Sequence, residues 1–441
     1  MQALGRERTE FGNRVGLTIE NLLTPRVQSA IGILAFAAIA WLLSERKGRF
    51  PIIQFPLAVG LQLGIAALFL NWPAARASLD GLNGIVYALE QSTRAGTSFL
   101  FGYVGNPEQV PFEVTGGSAF IFAFQALPLL VFISALAAVL WHWGVLKIII
   151  RGFAILLSRV LGTGGAVSLA ASANVLLGQT EAPLLIRPYL SRITRSELFA
   201  VIACGYATVA GTVMVLYGII LSQLSPGMLG QILVASIISV PAALILAQIM
   251  VPPEKGEVQT DSDAVKDDFG YDSTMDAFTE GAVQGGKLWV NIVIAILAFI
   301  ALAALINIIF DSALPDVAGA PLTIERIFAW AFAPFIWLAG LPADQVMTGA
   351  ELMGVKTAIN EVVAYEMLAK LPEGALDQRS TLIMVYAMCG FANIGSLGIV
   401  IGGFTALEPT RRKEVLQLAP KALISGTLAT LTSGAVVGVL W

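Results

Sequence analysis

The chain has 441 residues, 56% hydrophobic and 13% charged, with a mean hydropathy of +0.79 and a formal net charge of −4. Soluble globular domains carry roughly 25% charged residues, so this composition excludes one and places the chain among integral membrane proteins. The basic residues are spread over loops rather than clustered, which leaves no electrostatic footprint for nucleic acid.

The N-terminal stretch MQALGRERTEFGNRVG sets Glu7 and Glu10 among arginines and precedes a span with no small-residue cleavage site. It does not read as a removed signal peptide. Arg6, Arg8, Arg14 and Leu17 fit an amphipathic helix on the membrane surface. Apolar stretches follow at 27–43, 50–70, 119–141, 198–221, 229–250, 289–310, 381–402 and 420–441. Each is close to the ~20 residues that carry a helix across a ~30 Å hydrocarbon core. They are continuous and rich in Leu, Ile and Ala, not short and alternating, which points to helices and not to a β-barrel.

Between the spans, SERKGRF (44–50) is a charged loop. From Asp80 to Glu113, apolar periodicity is mixed with Glu90 and Arg94, spaced to pair on one helix face. That predicts an interfacial or tilted helix with a glycine-rich break. The tract 251–283 is strongly acidic and reads as a solvated connector outside the membrane. TALEPTRRKE (405–414) is short and basic, which predicts the cytoplasmic side for this loop and the opposite side for the C-terminus. His142, in WHWG at a span end, reads as part of an interfacial aromatic cluster. Cys204 and Cys389 lie in apolar segments and suggest neither a disulfide framework nor a metal site.

The octets CGYATVAG (204–211) and CGFANIGS (389–396) share Cys, Gly, an aromatic, Ala, a small polar residue, a β-branched residue and two small residues. Each follows a glycine-broken segment with an embedded acid: Glu181 in GQTEAP and Glu361 in INEVVAY. After each, charge and proline return, in RPYLSRITR and KLPEGALDQR. A segment that enters the membrane, breaks and leaves on its original side explains this pattern. Non-helical backbone at such depth requires surrounding protein or a wet cavity. Duplicated halves with broken helices are the signature of alternating-access transporters. An inverted relation between the halves is expected.

A carboxylate at membrane depth costs ~2.5–3.5 kcal/mol even on the lenient insertion scale. Glu181 and Glu361 therefore either cap their own helix breaks, or pair with Lys356 or Arg187, or bind a ligand. Carbonyls at a break, joined by Asn174 or Thr208, suit a small hard cation such as Na⁺. The glutamates with neighbouring amides suit a neutral, polyhydroxylated substrate. Asn393 and Ser396 are spaced to share a helical face, and Phe391 is placed to stack on a flat base.

The motifs GQTEAP (178–183), GVKTAINEVVAY (354–365) and CGFANIGSLG (389–398) resemble those of the concentrative nucleoside transporter family, from about Pro107 to the C-terminus. The resemblance implies an all-α polytopic membrane protein with about eight transmembrane helices, two re-entrant hairpins, interfacial helices and an internal inverted repeat. It implies that Gln179, Thr180 and Glu181 contact the nucleobase, that Glu361, Asn393 and Ser396 hold the ribose hydroxyls, and that Leu288 and Phe391 line the pocket. It also implies a sodium site from Asn174, Leu177, Thr208 and Val209. Two departures stand out: Val362 replaces the family's Phe after Asn-Glu, and Thr208 replaces a Ser, adding a methyl beside the hydroxyl.

On this reading, residues 1–118 form an N-terminal part with the surface helix, two spans and an interfacial helix. Residues 119–250 hold a span and the first repeat, with its hairpin around 155–190. The acidic connector (251–283) leads to a second repeat at 284–402, with its hairpin around 345–375, and a basic loop and last span complete the chain at 403–441. The expected function is Na⁺-coupled nucleoside import, uridine included, with no cofactor, by a homotrimer in the bacterial inner membrane. Proton coupling is the nearer alternative, and an intramembrane enzyme using paired glutamates is the alternative of another class.

Overall fold

A computed structural model of the chain describes residues 24–106, 108–112, 119–225, 227–254, 260, 270–316 and 321–441. The predicted surface helix with Arg6, Arg8, Arg14 and Leu17, and most of the acidic connector, lie outside the described residues. Among those described, all regular structure is helical.

Helix α1 (Pro25–Leu42) starts on Thr24, whose hydroxyl accepts from the Val27 N–H, with Pro25 where a helix needs no donor. It is followed by α2 (Gln54–Asn71) and the long α3 (Pro73–Phe101). The predicted glycine-rich break in this region does not fall within α3, which runs unbroken through Gly81, Gly84 and Gly96. It ends at Gly102, where φ of +59° stops the helix. Glu90 and Arg94 pair at 2.9 Å, and Arg94 reaches on to Glu108 at 2.6 Å.

The remainder is one motif used twice. In the first copy, a span made of α4 (Phe122–Gln125) and α5 (Leu129–His142) leads to the amphipathic α6 (Val145–Leu161). A hairpin of α7 (Gly165–Ala173) and α8 (Ala182–Leu185) follows, then a broken span of α9 (Arg195–Ala207) and α10 (Gly211–Leu221), then α11 (Met228–Met250). The second copy repeats the order: α12 (Thr274–Ala313), amphipathic α13 (Ile324–Ala339), a hairpin of α14 (Val346–Ala358) and α15 (Glu361–Ala369), a broken span of α16 (Gln378–Met388) and α17 (Ile394–Leu407), and α18 (Arg412–Leu440). Hairpins and amphipathic helices return to the side they left, so three crossings separate equivalent points. An odd number of crossings makes the repeat inverted.

Seven apolar helices are long enough to span a bilayer among the described residues, and the broken pair α16 and α17 makes the eighth crossing. At α12 the predicted span 289–310 is only the centre of a 40-residue helix, capped by Ser273 and extended through the polar stretch TMDAFTEGAVQGGK. Its Gly281 and Gly285 sit against the backbone of α5. A Cβ at Gly281 would lie 2.7 Å from the Ser134 carbonyl, and one at Gly285 2.6 Å from that of Leu130. This small-residue crossing brings together the two helices that open the two repeats.

The two faces differ in charge. On one, Glu45 pairs with Arg195 at 3.0 Å and Lys421 at 2.7 Å, Arg411 donates to the carbonyls of Leu190 and Ile193, and Arg46 pairs with Glu254. On the other, Arg379 donates to the carbonyls of Pro25, Gly340 and Gly438. Thr260 of the acidic connector lies on the first face, where it donates from its N–H and hydroxyl to Glu197, the acid of the α9 capping box, and accepts from the Ala166 N–H of α7.

Candidate substrate and ion site

Both broken spans interrupt at their octets, α9 giving way after Ala207 and α16 after Met388. The two breaks touch, with the Phe391 N–H donating to the Thr208 carbonyl at 3.3 Å. They are also held by α11, where Ser236 accepts from the Val209 N–H and the Ile232 carbonyl accepts from the Cys389 thiol. The glycines of the octets allow this approach. At Gly390 a Cβ would stand 2.7 Å from the Tyr206 carbonyl, and at Gly205 it would stand 3.1 Å from the Gln179 Cβ. Cys204 and Cys389 are free, buried thiols.

The tip of hairpin 1 lies against the first break. The Leu176 carbonyl accepts from the Gly211 N–H at 3.0 Å. Asn174 is 1% exposed, lies near Gly205, and has no hydrogen-bond partner for either amide atom. A buried amide with its full hydrogen-bonding capacity unused is uncommon in a native interior. Thr208 is likewise buried and donates its hydroxyl to the Cys204 carbonyl at 2.9 Å, which leaves oxygen lone pairs available. Leu177 and Val209 are buried beside these two. Gln179 is buried with its amide oxygen unpartnered, whereas Thr180 and Glu181 are exposed. Glu181 turns back on its own tip, accepting from the Gly178 N–H at 3.2 Å, and Thr180 lies against Gly403 of α17.

At hairpin 2, Asn360 caps α15 and Glu361 is its first residue, 4% exposed. One carboxylate oxygen accepts from the Tyr217 hydroxyl of α10 at 2.8 Å and the other from the Asn393 amide at 3.0 Å. Asn393 lies just outside the helix that carries Ser396. Asn393 is the N-cap of α17, and its amide oxygen accepts from the Ser396 N–H at 2.8 Å. The cap is favoured because it satisfies a donor freed by the break. Phe391 and Leu288 are half-buried, Phe391 in the second break and Leu288 beside Trp289, whose indole donates to the Ala123 carbonyl. Val362 is buried in the core.

Sequence reasoning missed Tyr217 and Tyr365. Tyr365 stands with its ring 4.9 Å from that of Tyr217 and donates to the Val385 carbonyl. Lys356, fully buried on α14 with its ammonium unpartnered, interacts electrostatically with Glu361. A cavity of about 590 Å³ opens beyond hairpin 2, toward the face opposite the Glu45 cluster, bordered by Glu90, Arg94, Gln125, Ile220, Glu366 and Lys370. None of the predicted ligands lines it.

Comparison with known proteins decides what this architecture belongs to. The chain matches the Na⁺ dependent nucleoside transporter N-terminus over residues 31–104, nucleoside recognition over 123–224, and the Na⁺ dependent nucleoside transporter C-terminus over 231–438. An uncharacterized transporter of Haemophilus influenzae is 36% identical, over 93% of this chain and 97% of its own. This chain belongs to the concentrative nucleoside transporter family. The family is one of transporters and not of enzymes. Nucleoside permease NupC of Helicobacter pylori is 30% identical over 93% of this chain and 96% of its own. Human solute carrier family 28 member 3 is 34% identical over 93% of this chain and 59% of its own. CNTnw in an inward-facing, substrate-bound state superposes with a TM-score of 0.84 at 36% identity, covering 94% of this chain and 98% of that one. An outward-facing CNTnw variant superposes equally well, at 0.85 with 35% identity over 94% and 97%. The likeness to concentrative nucleoside transporters therefore begins well before Pro107, where the sequence motifs alone placed it.

Proposed function

We propose that the protein is a Na⁺-coupled symporter that imports nucleosides such as uridine by alternating access, working as a homotrimer in the bacterial inner membrane. The observation that carries the coupling is Asn174, a buried amide with both polar atoms free beside the first break. Its oxygen, the Thr208 hydroxyl and the backbone carbonyls of Leu177 and Val209 offer neutral oxygen donors, which suit a hard monovalent cation. Bound there, the ion would organise the tip of hairpin 1 and with it Gln179, Thr180 and Glu181.

Nucleoside then bridges the two halves. Gln179, Thr180 and Glu181 take the base, Glu361 with Asn393 and Ser396 takes the ribose, and Leu288 and Phe391 border the pocket. Coupling follows if cation and nucleoside each raise the other's affinity. One charge moving inward gains about 2.3 kcal/mol per 100 mV, and a tenfold gradient adds about 1.4 kcal/mol. At roughly −150 mV the sum is about 5 kcal/mol, enough for a nucleoside gradient on the order of a thousandfold. The basic face around Arg195, Arg411 and Lys421 is then the cytoplasmic one, by the excess of Lys and Arg in short inner loops. The homotrimer rests on the family resemblance, and the mass of the detergent-solubilised complex tests it.

Uptake into proteoliposomes tests the transport reading. Labelled uridine is offered with an inward Na⁺ gradient or matched choline, with and without a pH gradient. Accumulation driven by sodium is expected. Accumulation driven only by protons removes the ion site around Asn174 and Thr208, and no uptake with either ion moves the substrate to purine nucleosides or another small polar solute.

A further inference from the structure

The inverted repeat is unequal at one position. Tyr217 and Gly402 stand at the same offset from the cysteines of their octets, each on the helix that follows a break. Tyr217 faces hairpin 2 and gives its hydroxyl proton to Glu361 at 2.8 Å. On the other half, α17 passes hairpin 1 instead, with Gly403 against Thr180. At Gly402 a Cβ would meet no heavy atom within 4 Å. Gly402 is exposed, so this position of α17 carries no side chain toward hairpin 1.

We propose that Tyr217 is a positioning residue that fixes the Glu361 carboxylate as an acceptor for the sugar hydroxyls. The assignment rests on the nucleoside reading of the site. Each carboxylate oxygen accepts in two directions. Tyr217 occupies one direction on the first oxygen, Asn393 one on the second, and the N–H of Glu361 itself a third, so the carboxylate is held from three sides with acceptor capacity left for a sugar hydroxyl. The phenol is itself held, since its ring packs at a tilt against that of Tyr365, which is tied to the Val385 carbonyl.

The test compares uridine with 2′,3′-dideoxyuridine in proteoliposomes of wild type and Tyr217→Phe. With the hydroxyl gone and the ring kept, KM for uridine is expected to rise about tenfold, the size of one hydrogen bond to a charged group. KM for the dideoxy nucleoside stays within about twofold and Vmax for both holds, so discrimination for the diol collapses. An equal rise for both substrates, or a fall in Vmax with discrimination intact, overturns the assignment and leaves Tyr217 a packing residue. Should Tyr217→Phe fail to fold, p-aminophenylalanine at 217, which keeps a donor at similar reach, is expected to retain wild-type discrimination, and a folded protein that loses it overturns the proposal. A wild type that accumulates no nucleoside overturns the transport reading itself, an outcome distinct from these.

Discussion

The backbone N–H of Phe391 donates to the carbonyl of Thr208 at 3.3 Å, so the two halves of the protein are hydrogen-bonded to each other at the points where their spans are broken. Each break frees backbone groups that need partners inside the protein. The crossing supplies some of them from the other half and makes the breaks mutually dependent. Gly390 permits it. For Gly390→Ala the added carbon would stand 2.7 Å from the Tyr206 carbonyl and from the Thr430 methyl, an overpacking that costs about 1–3 kcal/mol. A lower melting temperature together with loss of uptake is expected, and an unchanged melt would show that the breaks have room to separate.

Glu361→Gln keeps the shape of the side chain and removes its charge. The hydrogen bonds from Tyr217 and Asn393 are then made to a neutral acceptor, and one amide edge presents a donor instead. Loss of a charge-assisted bond is worth about 1.5–3 kcal/mol, so uridine uptake per folded protein should drop roughly 10- to 150-fold, with an earlier melt because buried Lys356 loses its counter-charge. Near-normal affinity in this variant would remove Glu361 from the ribose site.

Lys356 and Glu361 are buried charges of opposite sign on one hairpin. Removing one member of such a pair strands the other, at a cost of about 3–5 kcal/mol. Lys356→Met alone should therefore destabilise more than the double change Lys356→Met with Glu361→Gln. Thermal melting of the four proteins gives the coupling, expected at about 1–3 kcal/mol; additive effects would mean that the ammonium is balanced elsewhere.

If the free amide of Asn174 is the cation's ligand, Asn174→Ala should raise the sodium concentration for half-maximal uptake about tenfold, the loss of roughly 1.4 kcal/mol. At saturating sodium the KM for nucleoside should return close to wild type. Sodium titrations of uridine uptake measure both, and an unaltered titration would place the ion elsewhere.

On the basic face, the hydrogen bond from Arg195, with Lys421 beside it, holds the Glu45 carboxyl at about 2, well below the usual carboxylate range and against the opposing effect of burial. The folded value lies below the unfolded one, so this stabilisation is complete above the ordinary carboxylate range and fades as pH falls from there toward about 2. The group is partly exposed and screened, so the effect at neutral pH is about 1 kcal/mol or less. Glu45→Gln should melt earlier than wild type at pH 7, and the gap should narrow at pH 3. A gap that widens on acidification would contradict the sign.

How much of this could be read beforehand differs by scale. The crossings were legible because hydropathy summed over some twenty residues is a strong signal, and the repeat because its octets keep their small residues for a packing reason that Gly205 and Gly390 now make explicit. The start of α12 was not, since TMDAFTEGAVQGGK is polar and is held as helix by its Ser273 cap and by its glycines against α5. Tyr217 was hidden for the opposite reason. A lone tyrosine in GTVMVLYGII looks like packing, and its bond to Glu361 spans far too much chain to leave a local trace. Asn393 was noticed for its polarity, but its capping geometry depends on where the helix restarts, which spacing alone did not fix.

The crossing of α5 and α12 at Gly281 and Gly285 has a mechanical side. With only the small side chains of Ala138 and Ser134 against the glycines, the two backbones come into close contact, and bending one helix requires bending the other. They act as a single beam, built from equivalent parts of both halves, and a force applied to either half is resisted by a member that the two own in common.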